Sequence, residues 1–295
     1  MKKLLSLVFI FTFVSFAYAQ DEEEEKKEGW KTTGNIALLF NQSAFNAEWT
    51  GGGTSNYAGN VTLTYDFNYK KDKITWDNRF MGDYGVTQIR GEEFSRKTND
   101  RLELNSILGR QIAETLWSYS FFLNFRTQFD KGYNFDEDTN PITRTEFTRF
   151  MSPGYLQFGP GFLWKKDDNL KFNFAPATAR FIFVNKDVTS VPGYEDGDYF
   201  GVDANKSNRF EFGAAISGYA KFELFENIVM ENVINLYSNY LEDAKNIDVD
   251  YTMNLVMKVN KYISANLIFQ AIYDDNAVKG FQIREVFGVG INFGL

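Results

Sequence analysis

Phe281 to Leu295, FQIREVFGVGINFGL, is the stretch on which the fold turns. From Phe287 it alternates without a slip. Phe287, Val289, Ile291, Phe293 and Leu295 share one face, and Gly288, Gly290, Asn292 and Gly294 share the other. Successive side chains of a strand point to opposite faces, so this pattern marks a strand with two unlike sides. One side is bulky and apolar, the other small or polar. Two architectures fit: a wall of a soluble sandwich, or the closing seam of a β-barrel with lipid outside it.

The opening residues point to export. Lys2 and Lys3 precede an apolar run from Leu4 to Phe16 and the small-x-small triplet Ala17-Tyr18-Ala19. This is the build of a cleaved signal peptide, residues 1–19. Loss of its two lysines takes the formal net charge from −8 to −10, which argues against a nucleic-acid partner. Residues 20–29, with DEEEEKKE from Asp21 to Glu28, have nothing apolar to bury and are expected to form an acidic flexible tail. The remainder, 30–295, is read as one barrel domain.

Composition favours lipid over a soluble core. The chain holds 31 Phe, 16 Tyr and 5 Trp, yet no later run approaches the ~20 apolar residues a spanning helix needs. A small exported soluble β-protein would more often carry disulfides, and there is no cysteine. Histidine is absent too, which removes Ser-His-Asp catalysis and most zinc sites.

Turn lengths sharpen the barrel reading. Short polar turns fall at Lys71-Asp72-Lys73, Ile112 to Thr115, Lys165 to Asn169, Glu223 to Asn227 and Asn260-Lys261. Longer connections fall at Ala44 to Ser55, Gln88 to Arg96, Tyr133 to Met151, Thr189 to Asn205, Glu242 to Asn246 and Asp274 to Lys279. The two classes alternate and separate twelve strands. The expected fold is therefore an all-β, antiparallel transmembrane barrel with short periplasmic turns and longer extracellular loops. Ile247 to Val259 is its cleanest strand, with Tyr251, Met253 and Leu255 alternating against Asp250, Thr252 and Asn254. Trp30, Trp76, Trp117 and Trp164 all lie near the short-turn rim, where an amphipathic ring suits a lipid-water boundary.

Two places break the alternation. Continuing the parity of Phe172 and Phe174 would put Arg180 in lipid, so a bulge at Ala175-Pro176 is expected to turn Arg180 inward and Phe181 and Phe183 outward. With Gly159-Pro160-Gly161 opposite, this hairpin is expected to form a weakened wall, with a side opening as its functional version. Glu285 shares parity with Phe287 and is expected at the outer rim or beside another bulge.

The polar phase of the strands supplies the candidate lumen: Asp66, Asp77, Arg79, Asp83, Glu103, Arg126, Arg180, Glu211, Glu231, Asp248, Asp250 and Arg284. Paired carboxylates can do acid/base work, but any wet barrel interior would present such residues, and the chain is not read as an enzyme. Acids and arginines together can equally cross-link a narrow lumen, so plugging competes with conduction. Asp136, Asp138 and Asn140 begin a calcium-loop spacing that fails at Pro141 and Phe147. No cofactor or metal is expected.

Several runs carry a family resemblance: Phe40-Asn41-Gln42 with Phe45, Trp49 and Gly51-Gly52-Gly53; Lys97 to Asp100; Thr127-Gln128-Phe129 with Gly132-Tyr133; Asn246 to Val249; Ile272 to Asp275; and Gln282 to Glu285 before Gly288-Val289-Gly290. In these the chain resembles the DUF3078 family, exported proteins of Bacteroidetes-type bacteria with no assigned function. The resemblance implies an outer-membrane barrel and no reaction. The resulting expectation is a narrow channel or passive transporter for small solutes in the bacterial outer membrane. The alternatives are a non-conducting structural or partner-binding barrel, or a histidine-free membrane enzyme. Its expected partners are outer-membrane lipid and, during biogenesis, the barrel-assembly machinery reading the seam at Phe287, Val289, Ile291, Phe293 and Leu295.

Overall fold

The structure is a computed structural model that describes residues 28–46, 53–139 and 141–295, with Lys279 described by its backbone alone. The signal segment, most of the acidic tail, Trp49 and Gly51-Gly52 lie outside the described residues. The strands are β1 (Gly29–Ser43), β2 (Asn56–Lys71), β3 (Ile74–Ile89), β4 (Arg96–Gln111), β5 (Trp117–Thr127), β6 (Gly132–Asp136) and β7 (Thr143–Thr148). They continue with β8 (Gly154–Lys165), β9 (Leu170–Phe183), β10 (Asn208–Phe225), β11 (Ile228–Asn239), β12 (Ile247–Lys258), β13 (Ile263–Asp274) and β14 (Val278–Gly294), and one helical turn, α1 (Lys186–Thr189), follows β9. Twelve of the strands close a barrel in the order β1-β14-β13-β12-β11-β10-β9-β8-β5-β4-β3-β2, each antiparallel to its neighbours. The expected twelve-stranded antiparallel barrel is the fold observed. No described helix is long and apolar enough to cross a membrane.

Two long connections hold more structure than their composition suggested. Tyr133 to Met151, read as a loop, contains the hairpin of β6 and β7, paired from Asp136↔Thr143 to Gly132↔Thr148. Thr189 to Asn205 packs down instead of extending: Tyr199 and Val202 are buried against Tyr155, Ile182 and Val184. The tight turns at the opposite end use left-handed backbone at Asp72 and Asn227, residue types that tolerate it.

The barrel is apolar outside and charged inside. Tyr119, Phe121, Phe287 and Val289 are exposed on the outer face, while Glu103, Glu211 and Arg180 are almost fully buried within. A water-soluble domain does not normally present so wide an apolar surface. Near the turn end, Trp30 and Trp76 lie 5.6 Å apart between ring centroids, and Trp117 pairs with Trp164 across β5 and β8. Glu285 stands exposed on the outer face opposite Phe269.

The bulge in β9 is present. Ala215 pairs with Ala175 and Gly213 with Thr178, so β9 carries one residue more than β10 between those pairs. Beyond it Arg180 is buried in the lumen, while Phe181 lies beside Phe158 and Phe210 on the outside. The β8–β9 ladder is interrupted between Phe158 and Phe162. The wall nevertheless has no opening there. Ala175 and Thr178 have no exposed surface, and a Cβ on Gly159 or Gly161 would meet the β9 backbone at 2.3 or 2.5 Å. Only glycine allows the bulged strand so close.

Candidate functional site

Alternation aims most of the strands' charged residues into one narrow space, and strand stagger decides which of them meet. Toward the turn end, Asp77 of β3 receives Lys165 Nζ at 2.9 and 2.8 Å and Lys171 Nζ at 3.0 Å. Arg79 donates to both oxygens of Asp66, at 2.6 and 2.9 Å, and its guanidinium lies 4.4 Å from the ring centroid of Tyr219. Lys221 and Glu231 pair at 3.0 Å.

Midway, Arg101 Nε reaches Glu103 at 2.5 Å, and the other Glu103 oxygen accepts from Asn105 and Asn124 at 2.8 Å each. Arg101 Nη2 also lies 3.2 Å from Asp250, which pairs with Arg126 and accepts from Gln270 at 3.2 Å. β4 and β12 are diametrically opposite in the twelve-strand ring. The Arg101–Asp250 contact therefore crosses the whole lumen. The Arg79–Tyr219 contact makes a second crossing nearer the turn end.

Toward the loop end, Arg180 bridges Asp248 and Asp274, the latter at 3.3 Å, with Glu211 at 3.5 Å and the Tyr237 ring centroid at 4.7 Å. Arg209 Nε lies 2.8 Å from Glu211 without hydrogen-bond alignment, so that contact is ionic rather than directional. Arg284 Nη2 approaches Asp83 at 3.4 Å. The carboxylates of Asp248, Asp274 and Asp275 lie within 4.8 Å of one another. The Arg180 guanidinium already neutralises two of these three.

Each acid in the candidate lumen thus has a cationic neighbour. General acid/base work needs a carboxylate able to exchange its proton with substrate, and these are committed to ion pairs. The braces separate small cavities: about 60 Å³ beside Glu103 and Tyr237, about 70 Å³ beside Asp77 and Tyr219, and about 240 Å³ at the loop-end mouth beside Arg101, Arg126 and Gln270.

The mouth is roofed. Tyr199 donates its hydroxyl to Phe147 O, Tyr194 donates to Val202 O at 2.6 Å, and Phe200 stacks edge-on against Tyr155. Burial pushes the Tyr194 and Tyr199 hydroxyls above their ordinary range. In β7, a hydrogen bond from Lys131 and the charge of Arg149 hold the Glu146 carboxyl below its ordinary range.

Sequence reasoning passed over Arg101, Arg209, Lys165, Lys171 and Asp274. The parity that selects Glu103 also selects Arg101 two residues earlier, so that residue was within reach. Lys165 was assigned to a turn, although its ammonium reaches back into the lumen.

No curated protein matches this chain. Among solved structures it is similar to an outer membrane channel from Pseudomonas putida F1, at 9% identity over 94% of this chain and 99% of that one, with a TM-score of 0.38. It is also similar to the translocator domain of the autotransporter NalP from Neisseria meningitidis, at 9% identity over 99% of this chain and 94% of that one, with a TM-score of 0.34. The outer membrane channel DcaP of Acinetobacter baumannii matches at 10% identity over 92% and 99% of the two chains, with a TM-score of 0.32. Likeness at this level leaves the reading of the chain to its own geometry. The model of the family described as "Protein of unknown function (DUF3078)" matches residues 40–133, from the end of β1 to the start of β6.

Proposed function

We propose that this protein is a bacterial outer-membrane barrel whose axis is braced shut, and that it acts as a binding barrel at its extracellular mouth rather than as an open pore. The apolar outer face and the tryptophans at the short-turn rim support the membrane placement. Export by a cleaved signal peptide belongs to the same reading. The observation that carries the closed axis is the Arg101–Asp250 pair joining opposite strands. A low-dielectric wall strengthens such a pair, and breaking one partner of a buried pair is strongly unfavourable.

Conductance of the purified protein in planar bilayers tests this. The native protein is expected to give no steady current. Asp250→Ala strands Arg101 and Arg126 without their shared acid, and is expected to produce stepwise openings. A steady native current that scales with salt overturns the closed axis and favours the narrow channel. One observation speaks for that second reading: cavities flank the brace on both sides, so its displacement would join them.

A further inference from the structure

The short-turn rim carries its charge unevenly. In the ring, β1 lies between β2 and β14, with β3 beyond the one and β13 and β12 beyond the other. The turns of this arc are basic. Lys70, Lys71 and Lys73 flank Asp72 between β2 and β3, and Lys258 and Lys261 bound the turn between β12 and β13. All of these lysines are exposed, and none of them pairs with a carboxylate among the described residues. The acidic side chains described in the arc's turns are Asp72 and, just ahead of β1, Glu28.

Across the rim the cations are answered. Lys165 and Lys171 share Asp77, Lys165 also reaches Asp168 at 2.9 Å, and Lys221 pairs with Glu231. Lys166 stands beside Asp167 and Asp168, and Glu223 and Glu226 lie at the β10–β11 turn. Lysines gathered on one arc without counter-charge repel one another and draw anions toward it.

The segment that leaves from this arc carries the opposite charge. Asp21 and Glu22 to Glu25 precede Lys26, Lys27 and Glu28, and Gly29 opens β1. Glu28 already touches the basic side. Its Oε1 accepts from the backbone N–H of Asp72 at 3.1 Å, which ties the base of the tail to the lysine-rich β2–β3 turn. The tail from Asp21 to Lys27 lies outside the described residues. The stretch from Asp21 to Glu28 extends to at most about 28 Å. From β1 to β12 the ring runs through β14 and β13, at strand spacings of about 4.8 Å. The tail is therefore long enough to lie along the arc in one pass.

We propose that the acidic tail, residues 21–28, docks in cis along the basic arc of the short-turn rim, its carboxylates pairing with Lys70, Lys71, Lys73, Lys258 and Lys261. Docked there, it neutralises the arc and withholds it from other polyanions. Each exposed pair is weak alone, and tethering supplies the local concentration that lets several hold together. The contact depends on neither a closed nor an open axis. It belongs to the chain that starts at Gln20 after the signal cleavage proposed above.

The chain has no cysteine, so a single pair can be introduced without background. In the full exported chain, Glu24→Cys is combined with Lys258→Cys on the arc or with Lys166→Cys across the rim. Disulfide formation is followed in detergent and in phosphatidylglycerol vesicles. At low ionic strength the arc pair is expected to form about tenfold faster than the pair across the rim. That advantage should shrink as salt rises, and again when Glu22, Glu23 and Glu25 are replaced by Gln. An arc rate indifferent to both changes reports a tail that only swings near its anchor, and overturns the proposal. So does an advantage that vanishes in the vesicles, which assigns the arc to lipid. Deletion of residues 20–27 supplies a second measurement. It is expected to strengthen binding of a labelled oligo-glutamate about tenfold over the native chain, and equal binding counts against docking. A heat-dependent gel shift on each sample separates loss of the barrel from loss of the contact.

Discussion

Between β8 and β9 the ladder stops at Phe158 and resumes at Phe162; between β1 and β14 it stops at Phe40 and, among the described residues, does not resume. The first gap is filled. Thr178 bonds back to Ala175 O at 2.9 Å, and two glycines let the bulge press against the neighbouring strand. The second gap is bordered on the outer face by exposed Phe281, Ile283 and Glu285. A missing ladder therefore does not by itself mean a weak wall. What fills the space decides, and at β8–β9 the bulged backbone fills it.

The largest expected effect breaks the filled gap. Gly159→Val puts a Cβ 2.3 Å from Ala177 O, and overpacking of that kind costs about 3 kcal/mol. The heat-modifiable folded band should be lost or much reduced. Gly59→Ala, with nothing within 4 Å of the added carbon, should leave it unchanged.

Next comes the closed part of the seam. Phe293, opposite Ile36, faces outward, and a charge on the lipid face of a barrel costs roughly 2 kcal/mol depending on depth. Phe293→Asp, and more so loss of Leu295, whose backbone exchanges hydrogen bonds with Gly34, should lower the membrane-inserted yield. Val191→Asp, in the exposed connection after β9, should not.

A smaller change separates closed seam from open. Asn41→Ala removes the clip on Phe287 O, a loss of about 1 kcal/mol. Amide exchange should quicken along Gly288 to Gly290 and stay unchanged in β8 and β9.

The smallest effect lies outside the wall, in the hairpin over the mouth. Because the Glu146 carboxyl is held below its ordinary range by Lys131 and then Arg149, its contribution is present above the unfolded carboxylate range. It is lost as pH falls through the lowered folded value. Amide exchange in β6 and β7 should rise on acidification, while β12 stays protected.

Period-two alternation made most of the wall legible. It separated Tyr251 and Met253 from Asp250 and Asn254, and the alternating turn lengths yielded twelve strands. Pro176 betrayed the bulge because proline cannot donate to a ladder. Alternation cannot say which lumen residues meet. Arg101 finds Asp250 on the opposite strand only because of the accumulated stagger of the strands between them, which no local pattern encodes. For the same reason the partial register of β1 on β14 was hidden, though both strands are plain in sequence. The connection after β9 reads only as a long connection because Glu195, Asp196, Asp198 and Asp203 are interleaved with Tyr194, Tyr199, Phe200 and Val202, whose packing anchors it.

The pairing of Ile36 with Phe293 joins the two ends of the chain. Every other barrel ladder joins strands that follow one another in sequence, with only the β6–β7 hairpin inserted between β5 and β8. Those hairpins can form one after another with little loop entropy to overcome, whereas the seam must gather nearly the whole polypeptide into a single loop. Ring closure is thus the one event of high contact order in this molecule. An assembling intermediate would hold eleven ladders before it holds the twelfth, its two terminal strands presented as open edges until they meet.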